Sequence, residues 1–166
     1  MNKYLLPAVT LVLMLVAGVY FVFRGDTSEQ ANMDYSLISG EKITHSDLKG
    51  KVSLIKFWAT TCTTCVAQMP DDIKYYEKYS PQGFEVVAVA MKYDNLDAIK
   101  NFASDRKLPF KVAYDQDGSL AKSYGGVRFT PVMFLLDRKG EVVKSFAGKY
   151  NHEDFIKTLE DTLKNS

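Results

Sequence analysis

A chain of 166 residues, 46% hydrophobic and 25% charged, has ordinary globular composition for one domain plus an appendage. Its formal net charge is +1, and beyond Lys3 the basic and acidic residues balance. The lysines are spread among Asp and Glu, so no basic stripe for nucleic acid or another polyanion is present.

The appendage comes first. Leu5 to Phe23 carries no charge and at helical rise spans about 28 Å, close to the hydrocarbon thickness of a bilayer. A cleaved signal peptide would use Leu5 to Val16 as its apolar core with Ala17 and Gly18 near the cut. The run continues past that point through Val19 to Phe23, and Tyr20, Phe21 and Phe23 suit a membrane boundary, which favours an uncleaved signal anchor over residues 1–23. Lys3 and the free amino group give a slight bias to a cytoplasmic N-terminus, placing the rest of the chain outside the cytoplasm, where disulfides form. Residues 24–32 lack an apolar period and read as a polar linker, leaving 33–166 as the folded domain.

Tyr35 to Thr44 alternates around Ser39-Gly40 like a hairpin, and Ser46 to Gly50 reads as a turn of helix ending at glycine. Val52 to Trp58 is a strand. Phe84 to Met91 and Pro131 to Leu136 have the continuous apolar character of buried parallel-sheet members. Helical stripes appear at Val66, Met69, Ile73 and Tyr76, at Leu96, Ile99, Phe102 and Ala103, and at Phe155, Ile156, Leu159 and Leu163. Asp94 and Asn151 are natural N-caps for the second and third of these. Asp137 to Gly140 makes a hairpin turn into a strand from Glu141 to Ala147. Strands alternating with helices, then a hairpin and a closing helix, predict an α/β sandwich with a mixed sheet.

The only two cysteines, Cys62 and Cys65, stand in Trp58-Ala-Thr-Thr-Cys-Thr-Thr-Cys65, at a strand-to-helix junction. Three residues of separation at the start of a helix brings both sulfurs onto one face, within reach of a disulfide. A structural zinc site would need two more ligands, and His45 and His152 are isolated from each other. A structural disulfide would close a loop too short to stabilise the fold much. A redox dithiol is the reading that fits the context. Cys62 at the helix N-terminus meets unpaired N–H groups that favour thiolate, whereas Cys65, one turn inside, faces the packing stripe. The neutral residues Thr61, Thr63 and Thr64 suggest a polypeptide substrate, and no cofactor fingerprint appears.

Phe57 to Pro70, Tyr124-Gly-Gly-Val-Arg-Phe-Thr-Pro131 and Leu136-Asp-Arg-Lys-Gly140 together resemble the TlpA/ResA-like family of membrane-anchored, thioredoxin-fold thiol-disulfide oxidoreductases, across nearly the whole chain after the linker. The resemblance implies a thioredoxin-like fold with a central mixed sheet flanked by helices, an N-terminal hairpin extension and a transmembrane anchor. It implies that Cys62 is the nucleophile, that Cys65 resolves the mixed disulfide, and that Pro131 is cis, leaving Thr130 to pair with a client segment. Trp58, Thr61, Thr63 and Thr64 complete the expected substrate-binding surface. Implied partners are a disulfide-containing client protein, as in cytochrome c maturation, and a membrane thiol reductase that donates electrons. The domain would face the periplasmic or extracytoplasmic side of the cytoplasmic membrane, working through the Cys62–Cys65 disulfide without another cofactor.

The chain departs from the family at Thr61, where a Trp is common, at Thr63-Thr64, where a proline is frequent, and at Gln68, where a Glu often stands. Lys56 occupies a strand position at which thioredoxins keep a buried acid. There it either tunes thiol acidity, with Gln68, or snorkels to solvent at the sheet edge. A disulfide oxidase or isomerase, a copper(I)-delivery module using the two thiolates, and a non-catalytic interaction domain with a permanent disulfide are the competing readings.

Overall fold

The computed structural model describes residues 33–166. The expected anchor and linker, residues 1–32, lie outside the described residues, among which no helix is long and apolar enough to cross a membrane.

The chain opens with a short antiparallel hairpin, β1 (Asp34–Ser36) and β2 (Lys42–Thr44), followed by a 3-10 turn at His45–Leu48. β3 (Val52–Trp58) leads into helix α1 (Thr63–Tyr79), and a second 3-10 turn, Ser80–Gln82, precedes β4 (Phe84–Ala90). Helix α2 (Leu96–Asp105), β5 (Lys111–Tyr114) and helix α3 (Ser119–Ser123) follow, then the hairpin of β6 (Val132–Leu136) and β7 (Val142–Ala147), and finally helix α4 (His152–Asn165). The sheet order is β5-β4-β3-β6-β7, with β3, β4 and β5 parallel and both β6 and β7 antiparallel to their neighbours.

The central position of β3 follows from its sequence. Every residue from Val52 to Trp58 is buried, and the two faces are assigned by alternation. Val52, Leu54 and Trp58 point into a core shared with Met69 of α1, Ile99 of α2 and Phe155 and Leu159 of α4. Ile55 and Phe57 point to the other side, where Tyr35, Leu120 and Tyr124 join them. Lys56 therefore falls on the α1 side, in phase with Trp58.

The structure corrects two expectations and adds two elements. β6 was read as a parallel-type strand but runs antiparallel to β3, because an apolar run reports burial on both faces and not direction. Asp94 does not cap α2; Asn95 does, accepting from the N–H groups of Asp97 and Ala98. β5 and α3 carried no period long enough to detect. The carboxylate of the buried Asp115 accepts from the N–H groups of Leu120 and Ala121 and holds α3 in place. Asn151 caps α4 as expected, accepting from Asp154 N–H.

The hairpin extension is bonded to the body through a chain of side chains. His45 Nε2 donates to the carbonyl of Gly140 at 2.9 Å, which leaves Nδ1 of the neutral ring as an acceptor. The Tyr35 hydroxyl, 3.3 Å away, donates to it and in turn accepts from Tyr124 at 2.7 Å. Burial pushes the Tyr35 phenol up to about 12 and lowers the affinity of His45 for a proton. Tyr124 is the residue at which α3 ends, so this chain fixes the start of the loop that returns through Thr130 to β6.

Candidate active site

Cys62 is the N-cap of α1, with extended backbone at φ −85° and ψ 99°. A cap residue must offer an acceptor to the unpaired N–H groups of the first turn. Here the acceptor is sulfur: Cys65 N–H donates to Cys62 Sγ at 3.2 Å. Cys62 is half-buried, Cys65 is fully buried in the α1 core, and a disulfide joins them with 5.2 Å between the Cα atoms. The difference in exposure means that a bulky partner can reach only Cys62 without rearrangement of the helix.

Two loops frame the pair. Asp94 is buried, and its Oδ2 accepts from Thr60 N–H at 2.6 Å while its Oδ1 accepts from the Thr60 hydroxyl at 2.7 Å. The carboxylate thus ties the Ala59–Thr61 turn to the end of β4. On the other side the Thr130–Pro131 peptide is cis, and the Thr130 hydroxyl lies 3.3 Å from that of Tyr93. One short segment, Tyr93-Asp94, therefore binds both the cysteine turn and the proline loop.

Of the residues expected to contact a client, Thr61, Thr63 and Thr64 are exposed and Thr130 is half-buried. Trp58 is not available. It is fully buried and its ring packs 5.1 Å from that of Phe102, because alternation along β3 turns it inward. Trp58 is a core residue beneath the site, which corrects its expected place on the client-binding surface.

Lys56 does not snorkel. Its side chain is 1% exposed and forms an ion pair with Asp72 of α1, itself fully buried. Neither the second carboxylate oxygen, Asp72 Oδ1, nor the hydroxyl of Tyr150 has a partner in hydrogen-bond geometry, although the two groups are near enough for each to shift the other's affinity for a proton. Burial holds the Asp72 carboxyl above its ordinary value, against the opposing pull of the Lys56 ammonium. The Tyr150 phenol is likewise raised, first by burial and then by the charge of Asp72. The ammonium also lies 3.5 Å from Gln68 Oε1, and Gln68 Nε2 donates to the carbonyl of Gly148 at 3.3 Å. Gly148 N–H donates in turn to the carbonyl of Pro131 at 2.8 Å. A continuous polar path thus runs from the buried ion pair to the cis-proline loop.

Asp72 was not among the residues expected from sequence. The signal was present: it lies four residues after Gln68 and seven after Cys65, on one helix face.

Residues 25–163 match the family described as Redoxin. The chain belongs to the Redoxin family. Thiol-disulfide oxidoreductase ResA of Bacillus cereus is 30% identical over 172 residues, 98% of this chain and 96% of the relative. Its counterpart in Bacillus subtilis is 31% identical over 153 residues, 87% of this chain and 84% of the relative. Among solved structures, the exposed lipoprotein thioredoxin Etrx1 of Streptococcus pneumoniae superposes with a TM-score of 0.68 at 28% identity, covering 79% of this chain and 99% of that one. StoA of Bacillus subtilis does so with a TM-score of 0.66 at 26% identity, covering 78% and 97%. The fold is thioredoxin-like, and the protein is a thiol-disulfide oxidoreductase of the ResA type, with the Cys62–Cys65 pair as its disulfide.

Proposed function

We propose that the protein reduces disulfides of client proteins on the extracytoplasmic face of the cytoplasmic membrane, to which residues 1–23 anchor it. The observation that carries the dithiol chemistry of this reading is the asymmetry of the pair: Cys62 is half-exposed at a helix N-terminus with an N–H aimed at its sulfur, and Cys65 is sealed beneath it. In the reduced protein, the Cys65 N–H and the end of the α1 dipole favour the Cys62 thiolate. That thiolate attacks one sulfur of the client disulfide, forming a mixed disulfide and releasing the client's other sulfur as a thiolate that takes up a proton. Cys65 then loses its proton and attacks Cys62 Sγ, closing the Cys62–Cys65 disulfide and expelling the second client thiol. Two electrons pass from the dithiol to the client, and a dithiol donor in the membrane restores the reduced state.

Thr130, beside the cis peptide, offers its backbone to an extended client segment, with Thr61, Thr63 and Thr64 on the facing rim. Lys56 and Gln68 tune the resolving thiol from below. The ammonium bridges the Asp72 carboxylate and Gln68 Oε1, and Gln68 lies one helical turn from Cys65.

Trapping tests the assignment. The Cys65→Ser chain should accumulate mixed disulfides through Cys62, and the Cys62→Ser chain should accumulate none; trapping by both or by neither would reject the roles given. Direction is read from the reduction potential. A value near that of thioredoxin, about −270 mV, supports a reductase, whereas one near about −120 mV would mean disulfide formation instead.

A further inference from the structure

Against the Tyr93-Asp94 segment lies a groove of about 350 Å³ whose lining includes Lys92, Tyr93, Lys122 and Arg128 and contains no carboxylate. The three cations are exposed and take part in no salt bridge among the described residues. Lys92 packs over Gly118, its Cδ 3.0 Å from where a Cβ would stand. Its charge also helps to hold the Asp117 carboxyl low, after the hydrogen bonds from Ser119. Tyr93 of the lining and Phe129, the residue after Arg128, are 57% and 60% exposed, more than any other large apolar side chain among the described residues.

The groove is built from the same backbone that frames the active site. Tyr93 lines it and meets Thr130; the next residue, Asp94, holds Thr60, two residues before Cys62. Arg128 stands two residues before Thr130. A chain bound at Cys62 and alongside Thr130 must continue either away from this groove or into it, and aromatic rings flanked by unpaired cations suit a polypeptide carrying negative charge.

We propose that this groove docks the client segment next to the reacting disulfide and selects an acidic one. Tyr93 and Phe129 cover its apolar stems, and Lys92, Lys122 and Arg128 pair with its Asp or Glu side chains. The inference rests on the client-reductase reading above and adds the chemical class of client. An anionic lipid surface would satisfy the same charges, but lying against Tyr93 and Arg128 it would cover the loops that give access to Cys62.

The test uses the full chain in neutral detergent, reduced beforehand and freed of reductant. Its rate constants are measured for hydroxyethyl disulfide and for two disulfide peptides that differ only in carrying Glu or Lys beside the cysteines. Exposed ion pairs are individually weak, so three together should favour the acidic peptide about five- to tenfold at low salt, shrinking toward parity near 0.5 M salt, where screening is nearly complete. The Lys122→Glu/Arg128→Glu chain should invert the preference, and Lys122→Glu alone should reduce it. Equal rates at low salt, as expected if the patch meets lipid instead, would overturn the proposal; so would a preference that survives charge reversal. If the unsubstituted chain reduces hydroxyethyl disulfide but treats the peptides alike, only the acidic preference fails. If it does not react with hydroxyethyl disulfide, the dithiol reading fails and the inference falls with it.

Discussion

Replacing one member of the Lys56–Asp72 pair should be far more damaging than replacing both. The two side chains are 1% and 0% exposed, so neither charge can turn to solvent when its partner is lost. In Asp72→Leu the ammonium keeps only Gln68 Oε1, at 3.5 Å, and breaking a buried pair in this way costs about 3–5 kcal/mol. Lys56→Met is milder, because burial already raises the Asp72 carboxyl and the group can take a proton. An unsatisfied neutral acid costs about 1–3 kcal/mol. The double variant removes both charges and the unpartnered Asp72 Oδ1 with them, and it should lie near or above the unsubstituted stability, as apolar replacements of buried pairs often do. Trp58, the only tryptophan, is buried on the same face of β3 and reports urea unfolding of the full chain in detergent with the disulfide intact. With an m value of about 1.5 kcal/mol/M, Asp72→Leu should lower the midpoint by about 2 M or more. The reasoning fails if Asp72→Leu shifts the midpoint by less than about 0.5 M, or if the double variant is as unstable as the two single variants summed.

Asp94→Ala should strand the N–H and hydroxyl of Thr60 and release the cysteine turn, costing about 1–3 kcal/mol and slowing client reduction more than a similar loss of stability elsewhere; equal rates would dismiss the positioning role. The neutral His45 gives stability that is complete above its unfolded value of 6.5 and is lost as pH falls below that toward its lowered folded value. The urea midpoint should therefore drop between pH 7 and pH 5.5, and His45→Gln should flatten that drop. Tyr35→Phe removes the hydroxyl that serves both His45 and Tyr124 and should cost about 1–3 kcal/mol by the same unfolding assay. Gln68→Glu keeps an acceptor for Lys56 but loses the donor to Gly148 and sets a carboxylate one turn from Cys65. The titration midpoint of the Cys65 thiol, followed in a Cys62→Ser background, should rise, and an unchanged midpoint would remove Gln68 from the tuning path.

Most of the frame was readable because its signals are local and repeated. Val52 to Trp58 has the same limits in sequence and structure, and the three helical stripes all fall in helices that contribute to the core on the α1 side. What escaped was decided by tertiary partners. Asp94 has the chemistry of a cap, but its carboxylate is used by Thr60, so the cap moved one residue on to Asn95. β5 and α3 are four and five residues long, shorter than any window in which a period can be counted. Trp58 was placed on the surface although the strand's own alternation, with Val52 and Leu54 inward, assigned it to the core. Lys56 was ambiguous because a lysine in a strand is read as exposed unless a carboxylate is known to face it, and the partner stands sixteen residues away on another element.

The pairing of Lys56 with Asp72 changes what a buried cation can do for the thiols. An isolated ammonium would stabilise thiolate on either cysteine through a field that falls slowly with distance. Joined to a carboxylate, it presents a dipole, whose field decays faster and whose sign depends on orientation. The ammonium is held directly by Asp72 and reaches Gln68 Oε1 at 3.5 Å, and Gln68 stands one turn along α1 from Cys65 whereas Asp72 stands two turns away. On the proposed reading the pair therefore acts on Cys65 and barely on Cys62, whose acidity rests on the helix N-terminus and on the N–H that Cys65 donates to its sulfur. The two thiols are then tuned by separate means. The attacking sulfur is governed by the backbone at the surface, and the resolving sulfur by side chains that no client can touch. Gln68 suits the junction between these regions because an amide can accept from Lys56 and donate to Gly148 at once, coupling the buried dipole to the loop that carries Thr130 and Pro131 without adding a charge of its own.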